Sequence, residues 1–122
     1  MGETMVRAAR GAIRVERDTA ETVVAATERL LRELLSSNGI EGDDIVSAFF
    51  TVTEDLRSAF PAVAARRIGL GRVPLLCAQE IPVEGSMRGV VRVLVQFHTA
   101  RRPSDVVHVY LDGAESLRDD LD

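Results

Sequence analysis

The sequence predicts one α+β domain: a mixed sheet of about five strands, one long helix packed on one sheet face, and one short helix. Three observations lead there. A single long stretch keeps apolar residues at helical spacing, while the C-terminal half alternates apolar and polar residues in three runs separated by turn residues. At 122 residues the chain is the length of one domain, 1–122. With four Phe, one Tyr and no Trp, its core is built from Val, Leu, Ile and Ala.

The elements follow in order. Residues 1–5 read as a flexible extension, and Val6 to Ile13, rich in small residues, as the first strand. Asp18 followed three residues later by Glu21 is a capping-box-like start. Val23, Val24, Thr27, Leu30, Leu31, Leu34 and Leu35 then recur at helical spacing, and Asn38-Gly39 is the stop. Gly42-Asp43-Asp44 is a turn before a short strand, Ile45 to Val52. Thr53 to Leu56 starts one helical turn, and Pro61 sits at the first position of a short helix closed by Gly69. Strands follow over Val73 to Ile81, Gly89 to His98 and Val106 to Leu111, and residues 118–122 form a tail.

Period two puts Val91, Val93, Val95 and Phe97 on one face and Arg92, Leu94, Gln96 and His98 on the other. Val107, Val109 and Leu111 share a face in the same way, with Val106, His108 and Tyr110 opposite. One sheet face is therefore expected to be a dry core under the long helix. The other is apolar with embedded polar groups, which suits a subunit interface holding a site.

Composition removes several kinds of chemistry. The net charge is -4, with neither a basic stripe nor stacking aromatics, so no nucleic-acid or anionic-membrane partner is expected. All fifteen basic residues are Arg, which excludes Schiff-base lysines, a P-loop lysine and a lysine general base. One cysteine excludes an internal disulfide, and two histidines make no metal-ligand cluster, so neither a metal nor a cofactor is expected. No apolar run is long enough to span a bilayer and no signal-type segment opens the chain, so the expected location is the cytoplasm.

Polar residues set into the strands are the candidates for function: Arg10, Cys77-Ala78-Gln79-Glu80, Arg92 within Val90 to Val95, and Tyr110. A guanidinium inside a valine run needs an anion beside it. Each residue also has an ordinary reading. Arg92 could snorkel from an edge strand, Arg10 could be a solvated strand end, and Cys77 could be a small buried hydrophobe. Tyr110 could place its ring in the core and its hydroxyl at the rim, and Glu80 could pair with Arg92 structurally.

Taken together, the order and separation of these residues resemble the monofunctional chorismate mutases of the trimeric, mixed α/β class, the Bacillus type. The resemblance runs from about Val6 to Leu121. It is carried by Arg10-Gly11-Ala12 with Val15-Glu16-Arg17-Asp18-Thr19, Phe60-Pro61-Ala62 with Arg66, Val73-Pro74 with Cys77-Ala78-Gln79-Glu80, Arg92-Val93, and His108-Val109-Tyr110-Leu111 with Leu117-Arg118. Three departures stand out: Val63 replaces a common lysine, Leu76 a usual threonine, and the loop from Arg67 to Arg72 is one residue shorter.

The resemblance implies a homotrimeric pseudo-α/β-barrel with sites between subunits, and conversion of chorismate to prephenate for phenylalanine and tyrosine biosynthesis. It implies that Arg10 and Tyr110 hold a substrate carboxylate, while Arg92 faces the ether oxygen and touches a carboxylate. Glu80 and the backbone around Cys77, with Leu76, Ala78 and Gln79, would meet the ring hydroxyl. Phe60 and Leu117 would wall the pocket, and Arg66 would add positive charge at its mouth. Two other functions remain open at this point: an imine or enamine deaminase of similar trimeric fold, and a non-enzymatic regulatory module that binds a carboxylate metabolite.

Overall fold

The structure, a computed structural model, describes residues 3–117. Five strands form one sheet: β1 (Met5–Arg14), β2 (Ile45–Val52), β3 (Leu75–Gln79), β4 (Val90–Thr99) and β5 (Val109–Leu111). Two α-helices accompany them among the described residues, α1 (Ala20–Asn38) and the short α2 (Ala62–Arg67). The sheet order is β3-β2-β4-β1-β5, with β4 antiparallel to both of its neighbours and the two outer pairs parallel. β1 begins at Met5, which pairs with Thr99, one residue before the expected start. Arg118 and the expected tail at 118–122 lie outside the described residues.

The apolar spacing of α1 lays Val23, Val24, Leu30, Leu31 and Leu34 onto the sheet, all buried. Thr27 lies on the same stripe, and its hydroxyl donates to the Val23 carbonyl at 2.7 Å, so no polar atom is stranded. Gly11 brings the layers together: a Cβ there would come within 3.1 Å of Leu30 Cδ1 and 3.2 Å of the Val109 carbonyl oxygen. The sheet supplies Ala9, Ile13, Ala48, Phe50, Val91, Val93, Val95, Phe97 and Val109 to this core. The face predicted to be dry is therefore the one under α1.

The start of α1 shows how tertiary partners override a local signal, and its end shows a local signal that holds. The N-cap of α1 is Thr19, whose hydroxyl accepts from the Thr22 N–H at 3.1 Å. Asp18 is drawn away from that role: its Oδ1 accepts the backbone N–H groups of Arg57 and Ser58, each at 3.0 Å. The C-cap is Gly39 at φ 61°, as Asn38-Gly39 suggested. Pro61 stands at the N-cap of α2, one position before the expected one.

In the C-terminal half β4 keeps its expected length, shifted by one residue, whereas β3 and β5 are shorter than expected, β5 by half. Val106 packs partly against the core while Val107 is 42% exposed, the reverse of the expected faces. The cause is Asn38, whose side chain donates to the Val107 carbonyl at 2.8 Å and accepts its N–H at 2.7 Å. With both backbone groups of Val107 taken, strand pairing to β1 starts only at Val109. β3 is likewise confined to Leu75–Gln79, although the Glu80 N–H still donates to the Val52 carbonyl at 2.8 Å.

Candidate active site

The second face of the sheet carries the polar constellation. Arg92 stands in β4, the central strand, directly opposite Thr51 of β2 on one side and Ala12 of β1 on the other. These small neighbours leave room for a long side chain to lie across the sheet, and the edge-strand reading is excluded. Arg92 Nε is buried and makes no hydrogen bond, although the side chain as a whole is 38% exposed. Glu80, just past the end of β3, places Oε2 3.4 Å from that nitrogen, and the same oxygen accepts the Thr51 hydroxyl.

Arg10 lies on β1, paired with Leu94 of β4 and so diagonal to Arg92. The Tyr110 hydroxyl accepts from Arg10 Nε at 3.3 Å and from Nη2 at 3.1 Å. The backbone of Arg10 is also held, because its N–H donates to His108 Nδ1 at 3.0 Å. That imidazole nitrogen takes the position a strand carbonyl would fill had β5 begun earlier. Tyr110 packs its ring with Ala12, Val90 and Ala114, and Leu117 rests against the same group.

Arg10, Glu80, Arg92 and Tyr110 thus line one cleft of about 300 Å³, completed by Gly11, Phe49, Thr51, Val93 and Leu94. Its charged lining is two guanidiniums and one carboxylate, a net positive charge in a largely apolar setting. Such a lining favours a small anion with apolar carbon between its charged groups. Its two hydroxyls are already engaged, that of Thr51 with Glu80 and that of Tyr110 with Arg10.

The remaining candidates fall elsewhere. Phe60, Cys77, Ala78 and Gln79 line a second cleft of about 400 Å³ with Val52, Leu56 and Pro61, and the two clefts share no residue. Cys77 packs partly against the core and pairs with Phe50. Leu76 points outward on the open sheet face, 59% exposed, and Phe60 is 71% exposed. Arg66 is exposed on α2 and lines neither cleft. The sequence reading missed Thr51 and His108 as partners of Glu80 and Arg10, because both contacts depend on strand register and chain path.

An arginine pair and a carboxylate on one face of this sheet can be compared with known proteins. The family model described as chorismate mutase type I matches residues 6–121. The chain belongs to this family. A chorismate mutase AroH from Thermus thermophilus is 53% identical over 119 residues, 97% of this chain and 98% of that one. A second chorismate mutase AroH, from Bacillus subtilis, is 37% identical over 118 residues, covering 96% and 93% of the two chains. Among solved structures, a chorismate mutase from Clostridium thermocellum matches with a TM-score of 0.89 at 46% identity, over 90% of this chain and 98% of that one. The protein is accordingly a chorismate mutase, an isomerase, and the deaminase and non-enzymatic readings are set aside.

Proposed function

We propose that this chorismate mutase turns chorismate into prephenate in the cleft of Arg10, Glu80, Arg92 and Tyr110. In the concerted Claisen rearrangement one C–O bond breaks as one C–C bond forms, and neither a nucleophile nor a proton transfer is needed. The protein has to hold a flexible dianion in its compact conformer and stabilise the negative charge growing on the ether oxygen. Arg10 and Tyr110 grip a carboxylate, and Arg92 serves the ether oxygen and a carboxylate together. Glu80 balances the two guanidiniums and meets the ring hydroxyl. The observation that carries this reading is Arg92 Nε, a buried cationic donor with no hydrogen bond, beside a cleft of net positive lining.

We further propose that the working form is a cytoplasmic homotrimer in which the second cleft of one subunit closes over the first cleft of its neighbour. Phe60, Cys77, Ala78, Gln79, Leu76 and Arg66 then complete a site they do not reach within one chain. Support comes from the separation of the two clefts and from the uncovered apolar residues Val6, Phe49 and Leu76 on the open sheet face. No helix among the described residues is long and apolar enough to cross a membrane.

The test follows the loss of chorismate's ultraviolet diene absorbance, with chromatography for prephenate and sedimentation for mass. The parent should form prephenate as a trimer, and Arg92→Ala should stay assembled with most turnover gone. An Arg92→Ala rate within about tenfold of the parent would remove Arg92 from the reacting centre. A monomer at micromolar concentration would refute the shared site.

A further inference from the structure

Thr51 is the second-to-last residue of β2, on the open sheet face, opposite Arg92 in β4 and in register with Ala78 of β3, two residues before Glu80. Its hydroxyl donates to Glu80 Oε2, the oxygen that also faces Arg92 Nε at 3.4 Å. One carboxylate oxygen thus stands between two donors, and the hydroxyl holds the hydrogen bond while the guanidinium nitrogen, though buried, makes none.

We infer that Thr51 is a positioning residue for the reaction: its hydroxyl anchors the Glu80 carboxylate close enough to Arg92 to balance its charge, yet leaves Nε uncommitted. Glu80 sits beyond the last residue of β3, on a long and partly exposed side chain, so the strand alone does not define where its carboxylate lies. A β-branched residue in a strand has a restricted χ1, which makes the Thr51 hydroxyl a pre-set anchor. Without it the carboxylate has two ways to move, and both harm the site. Closing onto Nε forms a charge-assisted hydrogen bond that occupies a donor the substrate needs. Swinging into solvent leaves two diagonal guanidiniums with no carboxylate in the cleft.

This inference rests on the reading that Arg92 and Glu80 face the substrate, and the experiment separates the two. Thr51→Val, Thr51→Ser, Glu80→Ala, the Thr51→Val/Glu80→Ala double variant and Arg92→Ala are compared with chorismate as substrate, alongside thermal unfolding and sedimentation. Thr51→Val should lower kcat/KM about tenfold, the low end for loss of a hydrogen bond to a charged group, at unchanged assembly and melting temperature. Thr51→Ser, which keeps the hydroxyl, should recover most of that loss. Added to Glu80→Ala, Thr51→Val should cost less than about twofold, because the hydroxyl acts only through the carboxylate.

A Thr51→Val enzyme as active as the parent would overturn the inference. So would a serine variant no better than valine, or a full tenfold loss persisting in the double variant. If Arg92→Ala is inactive while Thr51→Val is unimpaired, only the role of Thr51 fails. If Arg92→Ala turns over normally, the site reading itself fails.

Discussion

Replacing Arg92 by Lys keeps a positive charge in β4 and removes the planar fork, so it asks whether charge or geometry matters. In the structure one guanidinium nitrogen, Nε, is buried beside Glu80 Oε2 at 3.4 Å, while the side chain retains 38% exposure and lines the cleft. A lysine ammonium is a single point of charge on a flexible stem and cannot fill the Nε position and present further donors to the cleft at once. Loss of one pre-organised donor costs about 10²- to 10³-fold in turnover, or about 3 to 4 kcal/mol of transition-state stabilisation. The cost in stability is much smaller. Glu80 keeps the Thr51 hydroxyl and, with its side chain 28% exposed, has access to water, so no buried charge is stranded. A partly exposed pair of this kind contributes under about 1 kcal/mol. Initial rates across a range of chorismate concentrations, with thermal unfolding in parallel, should therefore show a large fall in kcat and a nearly unchanged melting temperature. Turnover within about tenfold of the parent would show that a point charge suffices and would refute the reasoning from the fork.

Tyr110→Phe keeps the packed ring but removes the oxygen that accepts from both Arg10 Nε and Nη2, so KM should rise about tenfold with kcat less affected. Steady-state kinetics check it; an unchanged KM would detach Tyr110 from substrate binding. Gly89 adopts φ +69°, and a Cβ there would lie 2.7 Å from the Val15 carbonyl oxygen, so Gly89→Ala should destabilise by about 2 to 4 kcal/mol in denaturant unfolding. The Asp18 carboxyl is held below its usual value of 3.8: desolvation, the largest single influence, pushes it up, and hydrogen bonds from Arg57 and Ser58 together outweigh it. Because the folded value is the lower one, the stabilisation is present above pH 3.8 and is lost as pH falls through the folded value. The stability difference between parent and Asp18→Asn, measured by unfolding from neutral pH downward, should shrink across that acid range; a constant difference would show that the charge is not what Asp18 contributes.

Elements with a strong local pattern were legible. The period of α1, its Gly39 stop, and the alternation from Val91 to Phe97 needed no partner to be read, since the helix and the strand each bury one face and leave the other more open. The start of α1 and the start of β5 were misread for one physical reason. Asp18 and Asn38 have side chains able to bond backbone far along the chain, and Arg57 with Ser58, and Val107, compete successfully for them.

The candidate residues were visible because a guanidinium inside an apolar strand is costly and therefore conspicuous, as with Arg10 and Arg92. Their partners were less visible. Thr51 is an unremarked strand residue until register sets it opposite Arg92, and His108 looks like a strand residue until its ring takes the Arg10 N–H.

Legible from composition and periodicity alone are the mixed α+β class, the helix face, the alternation that separates a dry sheet face from a polar one, and the residues whose charge requires an anion. That Arg10, Glu80, Arg92 and Tyr110 share one cleft while Phe60 and Cys77 line another follows from the assembled sheet. The reason is that periodicity and burial cost act within a few residues of chain. The order β3-β2-β4-β1-β5 and its registers arise instead from pairing between segments far apart in sequence, and a shift of one residue would turn Arg92 from the cleft into the core.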